Sequence, residues 1–277
     1  MRALLVAAIM LASPAIAEEV APQTLLDWAG DPVSYTFDDW TVTTGATGPD
    51  DNRIATLKVE RAGVPTLERS FDSSGYGFGA LGFYPLTAGA EPSLVFAAYS
   101  GGAHCCMQAI TVTPVAGQFV VGELGTYDGD SVPIEDIDGD GAFEVMIPDG
   151  RFFYTFDAYA LSGAPSVIHR FRDGVPYDAS GEPEFAALNT EDLQLYLDGC
   201  PGEDGYYLGQ CAAMLAIAAR LGQYETYFAP VAAALNSGTR PASGWDDFQI
   251  CETDDCKFTD FTLAVAEALR RWGYLAD

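Results

Sequence analysis

The pattern of hydrophobic and polar residues is typical of β-strands between about residues 33 and 177. In the segment 53–61 apolar and polar residues alternate, as expected for a half-buried strand. Further strands are predicted at 64–71, 76–84, 93–99, 108–113, 118–124, 143–147, 151–157 and 166–171. Turn-forming residues separate these segments, and no helical pattern intervenes. The pattern therefore predicts an antiparallel meander or sandwich.

From about Pro183 the pattern becomes helical. The clearest apolar stripe is formed by five residues at helical spacing: Phe258, Phe261, Val265, Leu269 and Trp272. Residues 207–221 predict a buried helix, residues 224–235 predict another that is interrupted near Pro230, and Thr190 is a candidate N-cap. The fold class is therefore α+β, with a β-rich domain at 18–182 and a helical C-terminal domain at 183–277.

The first 17 residues have the features of a secretory signal peptide. Arg2 supplies the positive charge, residues 3–12 are apolar, and 15–17 form a small-residue cleavage site. No later segment approaches the roughly 18 apolar residues of a membrane span, so no membrane insertion is expected. These features predict a periplasmic or secreted protein.

The composition is strongly acidic, with 40 Asp and Glu residues against 13 Lys and Arg residues and a net charge of −27. Such a surface repels nucleic acid and anionic lipid, so neither is an expected partner. A protein or glycan partner, not identified by the sequence, is expected instead.

Six cysteines in an exported chain predict three disulfides. The preferred pairing is local and joins neighbours in the chain: Cys105 with Cys106, Cys200 with Cys211, and Cys251 with Cys256. The alternative is that Cys105 or Cys106 is bonded to a cysteine in the C-terminal half. The local pairing predicts that two of the disulfides stabilise the helical part.

The strongest chemical signal is a short loop at 136–144. It places the carboxylates of Asp136, Asp138, Asp140 and Glu144 at positions 1, 3, 5 and 9, with a glycine at position 6. Carboxylates converging around a tight turn repel one another unless a hard cation neutralises them, and calcium favours such oxygen ligands. Position 12 is Ile147 rather than glutamate, and the flanks have strand patterns, which argues against an EF-hand.

This loop resembles the calcium loops of FG-GAP repeats, which lie in β-hairpins of the integrin α-subunit propeller. The resemblance covers nine residues and a little of each flank. It implies that Asp136, Asp138, Asp140 and Glu144 bind Ca²⁺ through their side chains and that Ala142 binds through its carbonyl. The alternative is a solvated acidic turn in a very acidic protein.

A second unusual segment, 99–106, contains His104 next to Cys105 and Cys106. Together with the acidic loop, with 149–154 and with the C-terminal segments 256–258 and 273–275, it resembles exported bacterial proteins of unassigned function that carry a GGAHCC-like segment. This resemblance implies no activity. For His104 and its cysteines, a structural disulfide, a soft-metal or redox site and a catalytic site remain open.

These observations favour an exported, calcium-binding protein that acts by binding rather than by catalysis, with calcium in a structural role. Two alternatives remain. One is a periplasmic metal or redox factor centred on His104, Cys105 and Cys106. The other is a carboxylate-dependent hydrolase acting on envelope glycans. No spacing in the sequence identifies a catalytic pair, so no catalytic residue is assigned.

Overall fold

The computed structural model describes residues 17–49, 53–72, 77–101, 106–129, 131–202, 205–239, 241–242, 244 and 246–276. The predicted signal peptide lies outside the described residues except for Ala17, which precedes the first strand. Within the described residues, strands occupy the N-terminal two thirds of the chain and the α-helices follow.

Fourteen strands build three sheets, which we name sheets A, B and C. Sheet A has the order β1-β3-β4-β5-β6, sheet B the order β10-β9-β8-β7-β2, and sheet C the order β11-β12-β13-β14. Neighbouring strands are antiparallel, except that β1 pairs in parallel with β3. The strands are β1 Glu18–Glu19, β2 Leu26–Ala29, β3 Val33–Phe37, β4 Trp40–Thr47, β5 Ile54–Arg61, β6 Val64–Asp72, β7 Phe78–Tyr84, β8 Ser93–Tyr99, β9 Met107–Val115, β10 Gln118–Tyr127, β11 Ile134–Glu135, β12 Glu144–Pro148, β13 Ser166–Arg172 and β14 Val175–Asp178.

Sheets A and B pack face to face around an aromatic core. Val42 and Leu57 of sheet A and Phe83 and Phe96 of sheet B all have at most 1% of their surface exposed. Phe37 stacks on Phe83 with ring centroids 4.4 Å apart. Period-two alternation along each strand directs these side chains to one face.

The opposite face of sheet B packs against sheet C. Val95 and Ala97 of β8 meet Val145 and Ile147 of β12 in this second core. Sheet B is therefore the middle of three β-layers, which explains why every residue from 93 to 98 is buried. The antiparallel β-rich prediction is confirmed, and the arrangement contains one more layer than a simple sandwich.

Four α-helices form the C-terminal part: α1 Ala186–Gly199, α2 Leu208–Arg220, α3 Tyr224–Asn236 and α4 Phe261–Arg271. Two short hairpins accompany them, β15 Pro201–Gly202 with β16 Gly205–Tyr206 and β17 Phe248–Gln249 with β18 Lys257–Phe258. Helix α2 is buried over most of its length and forms the centre of the helical core. Its Gly209 lies against the backbone of Leu161 and Ser162, where a Cβ atom would clash.

Two predicted disulfides are confirmed. Cys200 at the end of α1 is bonded to Cys211 in α2, and Cys251 is bonded to Cys256 across the turn between β17 and β18. Both lie in the helical part.

Four element predictions were wrong, one of them in part: Phe258, predicted in the stripe of the last helix, lies in β18, and α4 begins at Phe261. The segment 151–157 is not a strand but a short 3₁₀ helix, Gly150–Phe152, followed by turns. Thr190 is not an N-cap, because α1 begins at Ala186 and the Thr190 hydroxyl donates to the Ala186 carbonyl oxygen inside the helix. Helix α3 continues through Pro230 without interruption.

The division of the chain at 182/183 remains a prediction. Phe152 and Phe156, which precede that boundary, are fully buried in the helical core. Their rings contact Trp272 at centroid distances of 5.0 and 5.9 Å. The segment between β12 and β13 thus connects the sheets to the helices.

Candidate metal site and adjacent cleft

The acidic loop connects two paired strands of sheet C. Glu135 of β11 pairs with Glu144 of β12 in an antiparallel hairpin, so the flanks are strands as the sequence predicts. Gly139 and Gly141 have φ values of +75° and +87°, a region in which residues with a side chain are strained. The two glycines let nine residues fold back tightly enough for the carboxylates to face one another.

Hydrogen bonds from the loop backbone orient the four carboxylates. Asp136 accepts from the Gly141 amide at 3.1 Å, and Asp138 accepts from the Asp140 amide at 3.1 Å. Asp140 accepts from the Ala142 amide at 2.7 Å, and Glu144 accepts from Ile137 at 3.0 Å. The loop therefore fixes its own acidic side chains.

Asp136, Asp138 and Glu144 converge. Each offers a carboxylate oxygen, and these oxygens lie within 4.8 Å of one another. Oxygens that share one calcium ion at 2.3–2.6 Å are at most about 5 Å apart, so the spacing fits. The Oδ1 atom of Asp136 is buried and has no hydrogen-bond partner among the described residues. An all-oxygen donor set with an unpartnered buried carboxylate oxygen fits a hard cation.

The other two predicted ligands lie in the same loop but outside this cluster. Asp140 is about half exposed, with 46% of its side-chain surface accessible, whereas Ala142 is buried. The ligand roles of Asp140 and of the Ala142 carbonyl remain predictions.

Arg170 of β13 reaches the loop from the neighbouring strand, a contact that sequence analysis did not predict. Its guanidinium donates to Glu144 at 3.1 Å and forms an ion pair with Asp138. It also pairs with Glu182 at 2.9 Å, and it lies 4.8 Å from the ring centroid of Phe185. Glu144 and Arg170 lie on the same face of sheet C, because the neighbouring residues Val145 and His169 are paired across the two strands. Period-two alternation along β13 is the one feature of the sequence that indicates which face Arg170 occupies.

Burial dominates the protonation of Glu144, whereas the neighbouring carboxylates dominate that of Arg170. Glu144 is fully buried, and its burial raises the pKa of its carboxyl group although the Ile137 amide and Arg170 oppose the shift. Burial acts to lower the pKa of Arg170, but the hydrogen bond to Glu144 and the charges of Asp138 and Glu182 raise it overall. Arg170 is therefore a permanent cation beside the acidic loop.

The second predicted site lies mostly outside the described residues. His104 and Cys105 fall there, so the Cys105–Cys106 pairing and the role of His104 remain predictions. Cys106 is disulfide-bonded and nearly buried. A further group of Cys251, Asp255 and Cys256 has metal-like spacing, but both sulfur atoms are in a disulfide and do not provide thiolate ligands.

The opposite face of sheet C borders a cleft of about 740 Å³. Leu124 of β10, Ile147 of β12 and Val167 of β13 contribute its apolar surface, and His169 lies beside them. Sequence analysis missed this cleft because its residues come from four separate segments. The only part of the cleft that the sequence analysis singled out is the segment 149–154, which is one of the segments that carry the resemblance to exported bacterial proteins.

A polar network borders one edge of the cleft, with the side chain of Asp149 buried and that of Arg151 about half exposed. Arg151 binds Asp149 with both Nε and a terminal nitrogen, at 2.8 and 2.6 Å. The Tyr274 hydroxyl donates to the same carboxylate at 2.9 Å, and Arg151 stacks 5.3 Å from the Trp272 ring centroid. The segments 149–154 and 273–275 both belong to the resemblance to exported bacterial proteins, and in the structure they are in contact.

No protein-family model and no solved structure matches this chain. The chain is similar to a probable thylakoid lumen protein of Synechocystis sp., with 30% identity over 193 residues, or 66% of this chain and 57% of that protein. It is also similar to an uncharacterized protein of Sinorhizobium fredii, with 41% identity over 81 residues, or 29% of this chain and 13% of that protein. The chain thus matches little more than half the length of the first relative and a small part of the second.

None of the helices that the structure describes is long and apolar enough to cross a membrane.

Proposed function

We propose that this is an exported, calcium-binding protein that acts by binding a partner rather than by catalysis. The observation that carries the calcium assignment is the convergence of Asp136, Asp138 and Glu144 within 4.8 Å, with a buried Asp136 oxygen that lacks a described partner. Calcium would bridge these carboxylates and hold the β11–β12 hairpin in one conformation. Its role is structural.

The local charge balance supports a divalent cation even though Arg170 is present. Asp138, Asp140 and Glu144 of the loop and Glu182 pair with this one guanidinium, and Asp136 lies beside Asp138 and Glu144. One positive charge against five carboxylates leaves a large excess of negative charge, which costs free energy at such short distances. Calcium is favoured over magnesium because it accepts a flexible set of six to eight oxygens, whereas magnesium demands near-ideal octahedral geometry.

One sequence prediction and two findings support export. Residues 1–17 are predicted to form a signal peptide, two disulfides stabilise the helical part, and one relative carries the name of a probable thylakoid lumen protein. We expect the mature chain to begin at Glu18. Intact-mass measurement of protein recovered from a bacterial periplasm checks this, and a mass that retains residues 1–17 contradicts it.

Isothermal titration of the mature protein with CaCl₂ tests the site directly. We expect one calcium ion per chain, with weaker binding of magnesium and no saturable binding of calcium to Asp136→Asn. This substitution preserves the shape of the side chain and does not disturb a described contact of Arg170. Asp173→Asn is the matched control, because it removes the same charge from the exposed β13–β14 turn.

Calcium binding that is unchanged in Asp136→Asn would overturn the assignment to this loop. Retained binding in Asp173→Asn, together with loss in Asp136→Asn, would exclude a general effect of the acidic surface.

A further inference from the structure

The cleft beside sheet C has the size and lining of a small-molecule site. Its volume of about 740 Å³ lies within the range of roughly 300–1,000 Å³ that is usual for ligand pockets. It is bordered by the end of β10, by β12, by the β13–β14 pair and by the segment 150–159. Nothing described so far assigns a ligand to it.

One side of the cleft is aromatic. Tyr159 lies 5.2 Å from Phe153 and 5.5 Å from Tyr154, measured between ring centroids. Tyr154 has φ +61° and 56% of its surface exposed. A large side chain in the left-handed region is strained, and such strain is concentrated at functional sites. Tyr154 thus presents an exposed ring to the cleft from a strained backbone position.

The charged groups of the cleft leave it negative. Asp128 and Asp178 both line it, and neither has a described cationic group within 4.0 Å, although the charge of Asp178 raises the pKa of Arg151. Asp128 accepts a hydrogen bond from the Tyr159 hydroxyl, and Asp178 accepts from the amide and hydroxyl of Ser180 at 2.9 and 2.5 Å. These neutral donors orient the carboxylates without cancelling their charge.

The arginine that lines the cleft, Arg151, is already paired with a carboxylate. The guanidinium of Arg151 is neutralised by Asp149 at 2.6 Å. Burial lowers the pKa of His169 more than Asp178 raises it, so His169 is neutral at pH 7. An anionic ligand would therefore meet two carboxylates and find no unmatched cation among the described residues that line the cleft.

We propose that this cleft binds an organic cation, with its ammonium group between the carboxylates of Asp128 and Asp178 and the Tyr154 and Tyr159 rings, and its apolar body on Leu124, Ile147 and Val167. Aromatic faces attract ammonium groups, most strongly where water is excluded. The net charge of −27 would also steer cations toward the surface. This inference assigns a ligand class to the binding protein proposed above and rests on that binding role, but not on calcium.

Isothermal titration of the mature protein with a series of matched probes tests the proposal. The probes are 2-phenylethylammonium, phenylethyltrimethylammonium, the neutral isostere 2-phenylethanol, the anion phenylacetate, and methyl glucoside. We expect the two cations to bind at least about tenfold more tightly than 2-phenylethanol. Phenylacetate and methyl glucoside should bind more weakly still.

Variants locate the site. Asp128→Asn, Asp178→Asn and Tyr154→Ala should each weaken cation binding by about tenfold, because each removes a charge or an aromatic face. Asp173→Asn, which lies outside the cleft, should leave it unchanged. Equal binding of the cation and 2-phenylethanol, or preference for methyl glucoside, overturns the proposal. So does cation binding that Asp173→Asn weakens as much as Asp128→Asn.

The probe series is run in EDTA and again in calcium, so that the calcium site and the organic-cation site are tested independently of each other. Cation binding without any calcium response would leave the ligand class standing and remove the calcium site. A calcium response with no preference for cations would do the reverse. The wild-type probe series decides the matter even where a variant does not fold.

Discussion

Arg170 is the residue on which the acidic loop depends in this structure. It contacts Asp138, Glu144 and Glu182, and only 18% of its side chain is exposed. Glu144 has no exposed surface at all. Removing one partner from a buried ion pair leaves an uncompensated charge, which costs more than the pair itself contributes. Arg170 thus adds charged contacts from the next strand to the backbone hydrogen bonds that orient the carboxylates of the loop.

Arg170→Met removes this charge and keeps much of the apolar stem. We expect a loss of at least about 3 kcal/mol in the free energy of unfolding in EDTA, because Glu144 and Asp138 then face each other without a cation. Calcium should recover a larger share of stability than in the wild type. Urea denaturation with and without calcium measures both effects.

The matched control for that variant is Arg172→Met on the same strand. Arg172 is exposed and stacks on Tyr177 at 5.2 Å from the ring centroid. We expect a cost below about 1 kcal/mol. Equal losses in the two variants would mean that Arg170 has no special role at the loop.

His169 provides a test of the other face of β13. Because burial lowers its pKa from 6.5, the folded protein keeps His169 neutral at a pH where the unfolded chain is already protonated. The unfolded state then binds more protons. The contribution of neutral His169 to the free energy of unfolding is therefore fully present above about pH 6.5 and is lost as the pH falls below that value. Wild type should therefore lose more stability between pH 7.5 and 5.5 than His169→Gln does.

Urea denaturation at the two pH values measures this difference. His104→Gln is the matched control, because the chain contains only these two histidines. The same pH dependence in wild type and in His169→Gln would contradict a lowered pKa at His169.

At the scale of elements, strands β12 and β13 connect the two candidate sites. Glu144 opens β12 at the acidic loop, and Ile147 of the same strand borders the cleft. On β13, His169 and Arg170 are consecutive and therefore point to opposite faces of sheet C. One pair of strands thus positions the metal loop on one face and the cleft on the other.

Local patterns predicted most strands well. The segment 93–99 matches β8 at both ends, and 64–71 matches β6 to within one residue. The segment 151–157 was misread because its aromatic residues look like a strand. Phe152 and Phe156 are instead buried against the helices. Sequence periodicity cannot predict such a contact between distant segments of the chain.

Helix α4 begins at a strong cap that can be tested alone. Asp260 accepts hydrogen bonds from the Thr262 and Leu263 amides at 2.8 and 3.1 Å. Asp260→Ala should cost about 1 kcal/mol of unfolding free energy, whereas Asp260→Asn should cost only a few tenths because it retains an acceptor. Thermal or urea denaturation checks this, and equal losses would show that the charge matters rather than the cap.

At the scale of the whole molecule, three stacked sheets and a helical part form separate cores that share boundary elements. Sheet B contributes to two of them, and the segment between β12 and β13 contributes aromatic rings to the helical core. The metal loop was predictable because its residues are adjacent in sequence. The cleft was not, because β10, β12, β13 and the segment 150–159 meet only through the layering of the sheets.

The most direct test of the central claim is a thermal melt of the oxidised mature protein in EDTA, and then with calcium, magnesium or zinc added singly. At a calcium concentration a hundred times the dissociation constant, binding contributes about 2.7 kcal/mol to stability. We predict a calcium-selective rise in the melting temperature of roughly 5 °C or more, absent in Asp136→Asn. Equal melts in EDTA and calcium would contradict the calcium assignment and leave the loop at 136–144 as an acidic turn paired with Arg170. A zinc-selective rise would direct attention to His104 and its cysteines.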